Sequence, residues 1–268
     1  MSADLVLYDV ADAVATITLN RPELANAQNM PLLDELDAAW TRADRDPEVR
    51  VIVLRGNGKH FSSGHDIDPR TWNTRDAGAK WLVSEVYESE TRRFLEYSLK
   101  WRNIAKPSIA AVRGVCIAGG LLLAWPCDLI VAADNATFSD PVLAMGIGGV
   151  EYHGHTWELG ARLAKEILFT GRSIDAEEAH RVGMVNRVVP RADLESATRQ
   201  LAAEIATRHP FALRMAKHAV NQTLDIQGFT AAVRAVFDIH QLGHAHAISE
   251  TGLPVLIALE GMKKQVSE

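Results

Sequence analysis

The chain has little cysteine. Cys116 and Cys127 are the only two in 268 residues, so no disulfide framework can hold the fold. Both lie in apolar sequence, where buried reduced thiols are expected. Positive charge is also short. Lys and Arg number 28 against 34 Asp and Glu, a net −6 with His neutral, which gives no support to a basic nucleic-acid face. There is no long hydrophobic run. The most apolar stretch, residues 115–133, is interrupted by Pro126 and Asp128 and falls short of a bilayer span. Met1-Ser2-Ala3-Asp4 lacks a basic segment leading into an apolar one, so no signal peptide and a cytoplasmic location are expected. Gly-x-Ser-x-Gly, Gly-x-Gly-x-x-Gly and phosphate-loop motifs are missing, as are repeats and low-complexity tracts, which removes the usual serine-hydrolase, dinucleotide and nucleotide-triphosphate readings. What remains is an ordinary globular composition, 47% apolar and 23% charged, with ample material for a core and room for one or two domains.

The hydropathy pattern sets out the organisation. Residues 5–10 and 14–20 are short β-rich runs with Asp12 between them, a hairpin signal. Leu32, Leu33, Leu36, Ala39 and Trp40 recur at helical spacing behind Pro31, which suits a first helical position. Residues 50–55, 108–112 and 128–133 read as strands covered on both faces. Residues 76–103 are helical in character, and 118–125 form a short apolar helix stopped by Pro126. Strands alternating with helices point to βαβ units and a parallel sheet. After about residue 157 strands almost vanish, and 161–169, 176–182, 193–208, 211–224 and 230–246 read as helices. The expected division is an α/β core over 1–190 and a helical region over 191–268.

Several segments then match one family pattern in order: Leu19-Asn20-Arg21-Pro22-Glu23 with Asn26-Ala27; Phe61-Ser62-Ser63-Gly64-His65-Asp66-Ile67; Lys106-Pro107-Ser108-Ile109-Ala110-Ala111-Val112-Arg113-Gly114 into Ala118-Gly119-Gly120; Cys127-Asp128-Leu129-Ile130; and Phe169-Thr170-Gly171 leading to Gly183-Met184-Val185-Asn186. Over roughly residues 5–250 the chain resembles the enoyl-CoA hydratase/isomerase (crotonase) superfamily. The resemblance implies a crotonase-like ββα spiral core with a C-terminal helical oligomerisation region, a homotrimer or dimer of trimers. It implies an acyl-CoA substrate, with coenzyme A as part of that substrate and no separate cofactor. Two backbone N–H groups, of His65 and Gly119, would stabilise an oxyanion on the thioester carbonyl without side-chain reorganisation, the second aided by a helix N-terminus. Leu24, Ala25, Ser63 and His65 fall where the family wraps CoA, and Lys59 where a basic residue can approach its phosphates or simply be solvated. Arg21 either fixes its loop or touches ligand.

The sequence also departs from the family. The two glutamates with which hydratases position and deprotonate water align with Leu122 and Val142. Neither can move a proton, so the usual two-glutamate hydration is not expected. Other members carry a carboxylate about eight residues further on. Counting from Val142 gives Val150, one short of Glu151, which becomes the catalytic candidate, the other reading being a loop glutamate. Burial beside apolar walls should raise its pKa. Asp140 is a second candidate, or else a turn residue before Pro141. The His65 imidazole could itself serve as a base. Tyr152, His153 and His155 are polar groups expected near the pocket mouth. His240 and His244 share a helix face at i, i+4, as zinc ligands can, but no Glu completes His-Glu-x-x-His. A polar helix face or a subunit contact is the preferred reading, and no metal is expected. Trp72, Trp81, Phe94, Tyr97 and Trp101 either line a bulky acyl pocket or belong to the core. Lys263 and Lys264 either meet a neighbour's CoA or are solvated. The expectation is an enoyl-CoA hydratase/isomerase-like enzyme with no nucleic-acid partner and no membrane insertion. The alternatives are an isomerase or thioester hydrolase using Glu151, a non-catalytic acyl-CoA-binding protein, and a structural subunit.

Overall fold

The computed structural model describes residues 4–67 and 80–256. Trp72, the start of the helix expected from residue 76, Lys263 and Lys264 lie outside these residues. Strands β1 (Val6–Ala11) and β2 (Val14–Leu19) form the expected hairpin, with Ala11 opposite Val14. Its turn residues Asp12 and Ala13 both have positive φ, 51° and 63°, the backbone of a tight two-residue turn. Strands β3 (Val51–Gly56), β4 (Ser108–Val112), β6 (Leu129–Ala133) and β9 (Arg187–Val189) add in parallel, giving the order β1-β2-β3-β4-β6-β9. A smaller sheet holds β5 (Val115–Ile117), β7 (Thr137–Ser139) and β8 (Ile174–Asp175). The strands β8 and β9, only two and three residues long, lie in sequence read as nearly strand-free, because such short runs show no alternation.

The helices are α1 (Met30–Arg45), α2 (Val83–Glu90), α3 (Tyr97–Arg102), α4 (Gly119–Ala124), α5 (His155–Thr170), α6 (Ala176–Arg181), α7 (Leu194–Ala206), α8 (Pro210–Ile226) and α9 (Phe229–Thr251). The Asn29 side chain caps α1 by accepting from Leu32 N at 3.0 Å, with Pro31 in the first turn. A wide π-helical turn, Thr91–Glu96, joins α2 to α3. Such turns re-aim side chains and recur at functional sites; this one carries Phe94 and follows Glu90. Helix α5 starts six residues earlier than expected, but Gly160 breaks it at φ 71°, so the periodic part begins where the pattern placed it.

Strand periodicity assigns the two layers. Ile52 and Leu54 of β3 enter the main core with Trp40, Trp101 and Phe138. Val51 and Val53 point to the other face, where Leu194, Leu201 and Ala202 of α7 cover them. Both faces of the parallel strands are thus buried, as their unbroken apolar runs require. Trp101 stacks on Trp40 with ring centroids 6.2 Å apart and is fully buried, so of the aromatics weighed as pocket or core it belongs to the core. Cys116 and Cys127 are free buried thiols, and burial pushes both above the ordinary range. Among the described residues, no helix is long and apolar enough to cross a membrane.

Candidate functional site

Parallel strands place their following loops at one edge, the usual position of a site in such sheets. The loop after β3 is held there by buried side chains. Asn26 donates to Asn57 O at 3.0 Å and His60 O at 2.9 Å, and its own oxygen accepts from Arg21 N. Gln28 Nε2 donates to Ser62 Oγ at 3.0 Å and to Gly119 O at 2.8 Å, which ties this loop to the next one. Arg21 is buried, donates to Ala27 O and pairs with Asp66 at 3.0 Å. Its role in the structure is to fix the loop.

Strand β5 runs beside this loop, with Ile117 N donating to Ser62 O and Ser62 N to Val115 O. The contact brings Gly64 against the turn into α4. Gly64 has φ +94°, and a Cβ on it would meet Ile117 O at 2.8 Å and Gly119 N at 3.3 Å, so only glycine fits. Ala118, just before α4, holds φ 45° and ψ −107°. Such a conformation costs on the order of 1–3 kcal/mol for a residue with a Cβ and collects at functional sites. The N–H groups of His65 and Gly119 donate to no described residue.

The His65 side chain lies across this turn. A Cβ on Gly119 would stand 2.7 Å from His65 Cε1, 2.9 Å from Nδ1 and 3.0 Å from Nε2, over the face of the ring. Phe94 stacks on the same imidazole with centroids 4.0 Å apart. Nε2 lies 3.0 Å from Glu151 Oε2, whereas Nδ1 is buried with no partner among the described residues.

Glu151 opens a buried array. Its other oxygen is 3.5 Å from His240 Nε2. Glu90 Oε2 lies 3.3 Å from His240 Nε2 and 3.4 Å from His244 Nε2, and the two Nε2 atoms are 3.0 Å apart. Gln241 donates to Glu90 at 2.7 Å. Glu90, Glu151, His240 and His244 are each under 10% exposed. Burial alone favours neutral carboxyls, but the imidazoles reverse the outcome. His65 and His240 hold Glu151 below its ordinary range, and His244 and His240 do the same to Glu90. Burial likewise opposes charge on His240, yet the Glu151 and Glu90 carboxylates push it up to about 9. The sequence reading expected apolar walls to raise Glu151; the walls it meets are imidazoles, so the shift has the opposite sign. Glu90 and Gln241 escaped that reading, since nothing local marks a glutamate some 150 residues from its partners.

The remaining candidates separate. Asp140 is fully buried, accepts from Val150 N at 2.8 Å and sits 2.9 Å from His155 Nε2. It joins His155, not His65, and anchors the residue before Glu151. Tyr152 and His155 sit in packed interior rather than at a mouth, with Trp125 edge-on to His155, whereas His153 is half-buried and burial lowers it to about 4. Leu122 is fully buried, and Val142 begins a 3₁₀ turn. Leu24, Ala25 and Ser63 do come together, with Ser63 N donating to Ala25 O and Ser63 Oγ to Leu24 O. Exposed Lys59 flanks them, because neighbouring Gly58 packs on Pro22. A surface groove of about 540 Å³ between Tyr87 and Lys100 shares no residue with this array.

With this geometry in view, the enoyl-CoA hydratase/isomerase family model matches residues 9–254. The chain belongs to that family. A crystal structure titled a probable enoyl-CoA hydratase from Mycobacterium smegmatis is 66% identical with a TM-score of 0.90, covering 94% of this chain and 99% of its own. EchA13 of Mycobacterium tuberculosis, which carries an enoyl-CoA hydratase name, is 42% identical over 93% of this chain and 83% of its own length. The short-chain-enoyl-CoA hydratase of Clostridium acetobutylicum is 33% identical over 86% of each. These likenesses make the chain a crotonase-fold member of an enzyme family. Within that family, its His65–Glu151 contact lies close to the turn at Gly119.

Proposed function

We propose that the chain acts on an acyl-CoA thioester by enolate chemistry, with the His65–Glu151 pair moving the proton where hydratases use the glutamates replaced by Leu122 and Val142. One observation carries the reading: a buried imidazole nitrogen with no partner among the described residues lies against Gly119, whose N–H, like that of His65, donates to no described residue. The thioester oxygen accepts from the His65 and Gly119 amides, donors worth about 10²–10³ in rate each in comparable sites. Ionised Glu151 can only accept, so Nε2 of His65 carries the proton it donates there, and Nδ1 keeps its lone pair. That nitrogen takes a proton from C2 of a 3-enoyl-CoA, and the electron pair spreads onto the thioester oxygen. The same proton returns at C4 as the double bond moves to C2–C3. One base and one proton suffice, which favours isomerisation over hydration. These steps draw on no group beyond the chain and the CoA of the substrate. Leu24, Ala25, Ser63 and Lys59 form the rim for that CoA, and Asp140 positions the loop bearing Glu151.

The test is mass spectrometry and chromatography of products from saturated, 2-enoyl and 3-enoyl CoA thioesters. A shifted double bond is the expected result, lost in Glu151→Gln with CoA binding kept. Gain of water or release of free CoA would replace the isomerase reading with a hydratase or a hydrolase. Binding without turnover would make the chain an acyl-CoA-binding protein. Assembly as a trimer or dimer of trimers, which the family resemblance implies, is supported by the exposed Phe211, Val220, Ile226, Ile239 and Leu242 on α8 and α9; light scattering giving a monomer would contradict it.

A further inference from the structure

The Glu90–His240–His244 cluster has a chemistry that the reaction above does not use. Both histidines have Nδ1 against a backbone carbonyl, His240 with Gly149 O at 2.7 Å and His244 with Pro254 O at 2.6 Å. A carbonyl only accepts, so each Nδ1 carries a proton and each neutral ring has its bare lone pair on Nε2. Those two lone pairs and Glu90 Oε2 then face one another within 3.0–3.4 Å. Three ligand atoms pointed together call for a cation among them, a proton on Nε2 in the metal-free protein or a metal ion in its place. A single proton satisfies one edge of the triangle. An ion about 2.0–2.1 Å from each atom satisfies all three, because tetrahedral coordination at that bond length separates ligands by about 3.3 Å.

We infer that Glu90 Oε2, His240 Nε2 and His244 Nε2 form a binding site for a divalent transition-metal ion of the zinc class. The three groups are the one set of three or more metal-ligating side chains that the described residues bring together, and all are buried. Two imidazoles with one carboxylate suit zinc over magnesium or calcium, which prefer all-oxygen sites. The surroundings match a metal centre as well. Carbonyls orient both imidazoles, and Gln241 donates to the ligating carboxylate at 2.7 Å, the outer contacts that fix such ligands. Three protein ligands leave a fourth position for water. The ion would join α2 to α9 and, through the Gly149 carbonyl, to the loop that delivers Glu151. The sequence reading expects a polar helix face or a subunit contact at this histidine pair. The third ligand comes from Glu90, far away in the chain, which is why spacing alone argued against a metal.

The test does not depend on the substrate assignment, since it reads metal and not turnover. Protein carrying a non-chelating affinity tag is analysed by plasma mass spectrometry, then stripped with chelator and titrated with Co²⁺ under visible absorption. One zinc per chain and a one-to-one, intense tetrahedral Co²⁺ spectrum are expected. His244→Gln should lose stoichiometric binding, while His246→Gln, exposed on the same helix, should keep it. Absence of the Co²⁺ spectrum in the wild type, or undiminished binding in His244→Gln, overturns the site. X-ray absorption of the Co²⁺-loaded wild type needs no variant to fold. Two imidazole nitrogens in the first shell support the assignment, and fewer than two refute it.

Discussion

Replacing Gly119 by Ala tests whether the His65 ring takes part in the reaction. The new methyl would sit 2.7–3.0 Å from three atoms of the imidazole, where carbon contacts normally begin at about 3.5 Å. The ring must therefore move by roughly 0.5–1 Å, and Phe94 already packs on it at 4.0 Å. The His65–Glu151 contact is 3.0 Å, and a push along the ring normal bends it out of the imidazole plane and carries Nδ1 off the proposed proton path rather than stretching the bond beyond reach. The backbone itself accepts the change. Gly119 is not in the left-handed region, so the strain falls on the packing against His65, where overpacking costs about 1–3 kcal/mol. The expected result is a folded protein with a modestly lower Tm whose kcat/KM falls by about 10²–10³, the scale of losing one oriented catalytic group.

The assay follows conversion of whichever enoyl-CoA the wild type turns over, alongside CoA binding by calorimetry. Gly148→Ala is the matched control, because a Cβ there meets nothing within 4 Å. If Gly119→Ala keeps kcat/KM within about threefold of wild type, a difference under 1 kcal/mol, the imidazole is a bystander and the proposed base is wrong.

Glu151→Gln keeps the shape but removes the negative charge and one of the two acceptor oxygens that serve His65 and His240, so kcat should drop by about 10²–10⁴ while KM changes little, read by steady-state kinetics. Asp140→Ala leaves His155 and the Val150 amide unpaired in a fully buried site and should destabilise by about 3–5 kcal/mol in urea unfolding. Trp101→Ala should cost a similar amount, about 3–5 kcal/mol, because the residue is fully buried and stacked on Trp40. Burial raises Glu158 from 4.5 to about 7. Its contribution to stability is therefore fully present below about pH 4.5 and is lost as pH rises through about 7. Partial exposure limits the effect to about 1–2 kcal/mol, and Glu158→Gln should flatten stability between pH 5 and 8 in denaturant titrations.

Much of the fold was legible because its signals are local. The β3 run, residues 51–54, is apolar at every position, and both of its faces are covered. The hairpin needed only a turn at Asp12, and α1 only the spacing of Leu32, Leu33, Leu36 and Trp40. The glycine turns were legible by resemblance, and Gly64 and Gly119 do meet. Electrostatics was not legible. Counting along the chain reached Glu151 but not what surrounds it, because His240 comes from α9 and Glu90 from α2. The sign of the Glu151 shift depends on those neighbours, not on burial. Asp140 shows the same limit: its spacing left open proton transfer or a turn before Pro141, and gave no sign of its partners, His155 and the Val150 amide.

The proposed exchange of the hydratase glutamates for Leu122 and Val142 fits this arrangement. Leu122 packs in the closed core, where an isolated carboxylate would cost several kcal/mol without a partner. Glu151 meets that requirement with two imidazoles, at 3.0 and 3.5 Å. In the proposed mechanism proton transfer falls to His65, whose own amide would be one of the two oxyanion donors. Backbone and side chain of one residue then carry both halves of the proposed chemistry. That economy constrains the opposite turn, because the imidazole fits over residue 119 only while that residue has no side chain.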